Sequence, residues 1–159
     1  MDASEQKTQV LAKEGGKEKK EAAYSRRSIV NKILKKRVPV MLQMSEVECG
    51  LACLAMVLSY HGRQTTISEL RTSYGASRDG VSALSLVKAA RNMGMISRAL
   101  ALQKNDFKDV ALPAIIHWEF NHFIIVERWT PEQVTVVDPA NGRRQMTAEE
   151  FNGALPVSC

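Results

Sequence analysis

The apolar residues of this 159-residue chain change their period at Gly94: before it they recur at helical spacing, after it they alternate. A helix buries a stripe of period 3.6 and a strand a face of period 2, so the chain reads as helices first and sheet second. From Cys49 to Tyr60, Leu51, Leu54, Ala55 and Leu58 define one helix, with His61-Gly62 as its stop. A second helix is predicted over 67–74, closed by Gly75, and a third from Ser82 as N-cap through Leu86, Val87, Ala90 and Met93 to Gly94. Strands are predicted over 95–102, 114–118, 122–129, 133–137 and 143–146, separated by Pro113, Glu119-Phe120-Asn121, Pro131-Glu132 and Asn141-Gly142. Gaps of hairpin length favour antiparallel pairing. Thr147-Ala148-Glu149-Glu150 reads as a capping box that opens a last helical turn. The sum is an α+β domain, with N-terminal helices packed on an antiparallel β-sheet.

The net charge of +5 is unevenly divided. Residues 1–38 hold eleven Lys/Arg against five Asp/Glu, whereas residues 39–159 hold eleven against twelve. The basicity belongs to the tail, which argues against nucleic acid as a partner, because a phosphate-tracking surface should lie on the folded part. Residues 1–37 are expected to be a basic flexible tail, poor in apolar periodicity, and residues 38–157 the domain. Within the tail, 28–37 places Ile29, Val30, Ile33 and Leu34 opposite its lysines, which suits either a helix lying on its own domain or contact with a membrane surface or partner. Gly15-Gly16 reads as ordinary linker. The longest apolar-rich run, 51–60, is half of the roughly 20 residues a membrane helix needs, and the first thirty residues lack the apolar core of a secretory signal. A soluble, cytosolic chain is expected. Three cysteines, Cys49, Cys53 and Cys159, are too few for a disulfide framework and are expected to be reduced.

The candidate chemistry starts at Cys49, the first residue of the first helix. Cysteine attacks as thiolate, and the unpaired N–H groups and positive dipole end of a helix N-terminus stabilise an anion. A base is then needed, and His122 opens a very apolar strand. Asp138, at the end of the following strand and backed by Pro139, can orient that imidazole if the two strands form a hairpin; sixteen residues and a turn near Pro131 separate them. Gln43 lies in the extended segment before Cys49, where its amide can join the Cys49 N–H as a donor to an oxyanion. Cys53, one turn after Cys49, is expected to be a buried small hydrophobe. A metal role for it with Cys49 and His61 or His117 lacks a complete ligand set, so no metal is expected. His117 is the decoy for His122, without an aspartate at an equally convenient offset.

The block from Gln43 to Cys53, the Asn121-His122-Phe123 block and the Asp138-Pro139-Ala140-Asn141-Gly142 block together resemble the C39 peptidase family, the papain-like domain of bacteriocin-exporting ABC transporters. The resemblance covers about residues 38–157 and implies a papain-like fold, with Cys49 as nucleophile, His122 as base, Asp138 as its orienting carboxylate and Gln43 in the oxyanion hole. It implies cleavage after a Gly-Gly or Gly-Ala motif that separates an amphipathic leader helix from a bacteriocin or lanthipeptide core, on the cytoplasmic side of the bacterial membrane. The family usually continues into membrane-spanning and ATPase domains, neither of which follows Cys159, and excision of the peptidase domain from such a transporter is the favoured expectation. ATP is expected of the parent's ATPase domain and no cofactor of this chain. The alternative is a C39-like module that docks export substrates without cutting them; such relatives typically lack the cysteine that stands here at position 49.

Overall fold

The computed structural model describes residues 36–75, 80–100, 106–118 and 122–155. The chain divides into the units Met1–Lys36 and Arg37–Cys159, and all the secondary structure below lies in the second. Gly15-Gly16, Asn121, Cys159 and all of the 28–37 stretch except the exposed Lys36 and Arg37 fall outside the described residues.

Helix α1 is Cys49–Tyr60, α2 is Ile67–Tyr74, α3 is Ala83–Asn92 and α4 is Ala148–Ala154. Strands β1 Ala114–Trp118, β2 His122–Trp129, β3 Gln133–Asp138 and β4 Gly142–Thr147 form one antiparallel sheet in the order β1-β2-β3-β4. The helix ends are set by local chemistry. Thr66 and Glu69 form a capping box that starts α2, Ser82 accepts the Ser85 N–H at the start of α3, and Thr147 and Glu150 form a second capping box at α4. Gly75, at φ +64°, ends α2 in a conformation that side chains disfavour.

Helix α1 is the core helix. Every residue from Cys49 to Leu58 is buried, more than the one-sided stripe read from its leucines, because the sheet covers one side and α2 and α3 cover others. Strand β2 is buried on both faces. Phe123 and Ile125 point into the cluster built on α1, whereas Ile124 and Val126 point into a second cluster with Phe107, Trp118 and Phe151 of α4. That double burial explains its unbroken apolar sequence.

One predicted strand does not form. The described residues of the 95–102 stretch carry no strand; Ser97 instead donates to the Val87 carbonyl and accepts from Arg91 of α3, which leaves Ile96 95% exposed. Alternation alone does not make a strand when the segment's polar groups are committed to a helix. Two one-turn 3₁₀ helices, Glu46–Glu48 and Asp106–Asp109, were not announced by any periodicity.

Two features of the sheet position the site. The register of β2 against β3 slips between Val126 and Arg128, which leaves Glu127 in a bulge. Its carboxylate accepts the Val38 N–H at 2.7 Å and the Arg143 Nε–H at 2.9 Å, while Arg143 also donates to the Val38 carbonyl. The segment leading to Gln43 is thereby fastened to the sheet by a side-chain clasp. One residue before Arg143, β3 turns into β4 at Gly142, whose φ of +83° suits the tight return.

Candidate active site

Asp138 is the last residue of β3 and His122 the first of β2, so the hairpin brings them to the same end of the sheet. His122 Nε2 lies 2.9 Å from Asp138 Oδ1, with the carboxylate side chain 2% exposed and the imidazole 23% exposed. Asp138 is further held by the Ala140 N–H on Oδ1 at 2.8 Å and by the Asn141 amide on Oδ2 at 2.9 Å. Burial pushes its carboxyl pKa up, but the bonds from Asn141, His122 and the Ala140 N–H outweigh that push and hold it below its ordinary 3.8. The aspartate is therefore a buried anion at neutral pH, charged against the one imidazole it faces. With Nε2 committed to Asp138, His122 keeps Nδ1 as the nitrogen that can accept a proton.

Cys49 opens α1 and is 6% exposed. It shares a core cluster with Phe123 and Val137, the chain neighbours of His122 and Asp138. The packing of α1 against β2 and α3 is tight at Gly50. A Cβ added there would lie 3.2 Å from Phe123 Cδ2 and 3.3 Å from Leu86 Cδ1. Gly50→Val should therefore destabilise the fold by about 1–3 kcal/mol through overpacking. Urea unfolding measures that loss, and an unchanged midpoint would mean that α1 stands further from β2.

The helix start is reached through the 3₁₀ turn Glu46–Glu48, which places the buried Glu48 carboxylate beside the cysteine in sequence. Its charge is paired: Arg71 of α2 makes an ion pair with it and the Met44 N–H donates to it at 3.1 Å. Gln43 is anchored by its backbone, its N–H donating to the Pro139 carbonyl at 2.8 Å. Its side-chain Oε1 is buried without a hydrogen-bond partner. The residue after Asp138 thus holds the residue whose amide was read as an oxyanion donor.

Cys53 is fully buried, as its reading as a small hydrophobe requires, and its thiol donates to the Phe123 carbonyl at 3.3 Å. Burial first, then Cys49 and Asp138 nearby, push its pKa well above 9.0, so it is a neutral thiol. His61 caps the far end of α1, about 18 Å along the helix from Cys49, and cannot share a ligand set with it. His117 stacks on the Phe123 ring with centroids 4.7 Å apart. Among the described residues no group of three or more His, Cys, Asp or Glu is placed to hold a metal ion.

Sequence reasoning missed Asn141, Arg144 and Glu127. Asn141 was visible only as half of an Asn-Gly turn, although an Asn three residues after an Asp in a tight turn is well placed to return its side chain to that Asp. Arg144 Nη2 lies 3.6 Å from Asp138 Oδ2.

Comparison with known proteins identifies the family. Residues 37–154 match the model of the peptidase C39 family. The probable microcin-H47 secretion/processing ATP-binding protein MchF of Escherichia coli is 34% identical over 129 residues, which are 79% of this chain and 18% of that protein. The lactococcin-G-processing and transport ATP-binding protein LagD of Lactococcus lactis subsp. lactis is 31% identical over 119 residues, 71% of this chain and 17% of that protein. The chain thus spans less than a fifth of the length of these curated relatives. Among solved structures, a double glycine motif protease from an AMS/PCAT transporter, in complex with the leader peptide, superposes with a TM-score of 0.70 at 37% identity, covering 77% of this chain and 89% of that one. The peptidase domain of Streptococcus ComA, a bi-functional ABC transporter, gives 0.66 at 26% identity, covering 74% and 91%. A match along nearly the whole Arg37–Cys159 unit and a shared papain-like architecture settle the family: the chain belongs to the peptidase C39 family of cysteine peptidases.

Proposed function

We propose that Cys49, His122, Asp138 and Gln43 carry out the hydrolysis of a precursor peptide after a Gly-Gly or Gly-Ala motif. The observation that carries this reading is the 2.9 Å contact between His122 and the buried Asp138, at the sheet end against which α1 begins. His122 takes the Cys49 proton through Nδ1, and the thiolate attacks the glycine carbonyl. The oxyanion that forms accepts from the Cys49 N–H and the Gln43 side-chain amide. His122⁺ then protonates the leaving amine of the core peptide, and the leader remains on Cys49 as a thioester. Water, deprotonated by His122, releases the leader and restores the thiol.

The substrate class is supported by a relative that is a double glycine motif protease crystallised with a leader peptide. A tight channel at the thiol would admit glycine and exclude larger side chains. Beside Gln43 the lead-in segment exposes Val40, Leu42 and Met44, the last 89% exposed. A pocket of about 250 Å³ opens there, with Met41, Leu42, Met44 and Ile67 as its apolar lining and Glu48 and Arg71 among its polar lining residues. These surfaces suit the apolar face of an amphipathic leader helix, whose binding energy lies away from the scissile bond. Among the described residues no helix is long and apolar enough to cross a membrane. The relatives' names, which join processing to secretion or transport and to ATP binding, support a place in an exporter; the domain would work on its cytoplasmic side, with membrane-spanning and ATPase domains supplied by the parent protein and ATP bound there.

The test is mass spectrometry of double-glycine precursors incubated with the protein. One new product ending in Gly-Gly or Gly-Ala is expected, and acid quenching during turnover should trap the leader on the Cys49 peptide. A precursor panel returned intact, with no adduct, would overturn the reading.

A further inference from the structure

We infer that Asn141 is a positioning residue of the active site: its side-chain amide fixes the rotation of the Asp138 carboxylate that presents Oδ1 to His122. This rests on the proposed roles of Cys49, His122 and Asp138. The torsion that turns a carboxylate is broad and roughly two-fold, so a carboxylate held by one oxygen alone can swing. Both the His122 ring and the Ala140 N–H reach Oδ1, at 2.9 and 2.8 Å. Among the described residues, only Asn141 Nδ2, at 2.9 Å, and Arg144 Nη2, at 3.6 Å, reach Oδ2. The arginine is too distant for a hydrogen bond, and its side chain is 45% exposed, so water screens it. The plane of the carboxylate is therefore set by Asn141.

The local sequence explains how the amide gets there. Asp138-Pro139-Ala140-Asn141 is a tight turn closed by the Asn141 N–H on the Asp138 carbonyl at 3.3 Å, with proline second and Gly142 following. That geometry folds the fourth side chain back over the first. The charged and titratable groups placed about Asp138 are His122 from β2, Arg144 from β4 and the Cys53 thiol from α1, which is neutral. Without the amide, burial is less opposed and the Asp138 carboxyl protonates at higher pH. Activity that requires the aspartate charged is then lost earlier on acidification.

The experiment compares Asn141→Ala and the isosteric Asn141→Asp with wild type, and uses Thr147→Ala as a control that removes a helix cap remote from the site. Two pH profiles are read: kcat/KM on a synthetic Gly-Gly precursor peptide, and the rate of Cys49 alkylation by iodoacetamide, assigned by peptide mapping. For Asn141→Ala, kcat at pH 7 should fall about tenfold to a hundredfold with KM within about twofold. Its acid limb should rise by about half a unit to one unit, and further in Asn141→Asp, where a second carboxylate faces the first. Thr147→Ala should lower Tm and leave the limb in place. An acid limb in both Asn141 variants that coincides with wild type would overturn the inference, as would a shift equal to that of Thr147→Ala. Cleavage that persists in Cys49→Ala would instead sink the proposed site itself, and the two failures are separate results.

Discussion

Replacing Cys49 by alanine should lower kcat/KM for a double-glycine peptide by a factor of about 10⁴ or more, while the protein stays folded and still binds the peptide. The sulfur is the only atom of the site that would bond to substrate, so its loss removes the covalent path entirely. The structural cost is small by comparison: one buried atom, for which about 1 kcal/mol is expected. Affinity should persist because the apolar surface around Leu42 and Met44 lies on the lead-in segment rather than at the thiol. His122→Ala should be similarly inactive, and the double variant no worse than either single one, because nucleophile and base act as a unit. Gln43→Ala should retain more, losing about 10²–10³ in kcat, since the Cys49 N–H remains as an oxyanion donor. Steady-state kinetics on the four proteins, with peptide binding measured by fluorescence anisotropy, checks the set. A Cys49→Ala protein within a hundredfold of wild type would remove the cysteine from the chemistry.

Which parts of this were legible beforehand follows from how local each determinant is. The helices announced several of their own ends: Ser82, Gly75 and the Thr147-to-Glu150 box act within four residues, and α3 begins, α2 ends and α4 begins where those signals stand. The meeting of His122 and Asp138 was also legible, because a sixteen-residue spacing across one turn brings the hairpin's free ends together. The 95–102 stretch failed because alternation says nothing about whether a neighbouring strand is available. Glu127 was illegible for a different reason: its role depends on a one-residue slip in the β2–β3 register and on partners 89 and 16 residues away. Asn141 was hidden by its own suitability for a turn, which accounts for the residue without reference to the carboxylate it holds.

Among stability effects the largest is expected at Glu127. Glu127→Ala should destabilise the fold by about 3–5 kcal/mol, because it strands a guanidinium and a backbone N–H rather than merely deleting contacts. The carboxylate side chain is 4% exposed and Arg143 is 25% exposed, so water only partly replaces the lost partner. Val38, whose N–H loses its acceptor, is 1% exposed. Glu127→Gln keeps the shape and one acceptor oxygen and should cost less, about 1–3 kcal/mol. Urea denaturation with an unchanged m-value separates these losses from a change in the unfolded state. Activity supplies the second reading. The clasp holds the start of the segment that carries Gln43, but Gln43 is also fixed by its own bond to the Pro139 carbonyl, and Met41 by its N–H on Met56 Sδ at 3.2 Å. Well below its melting temperature, Glu127→Ala should therefore keep kcat within about tenfold of wild type, because these nearer anchors still set the amide. A loss as deep as that of Gln43→Ala would show instead that the oxyanion donor is positioned from the bulge, across the whole width of the lead-in segment.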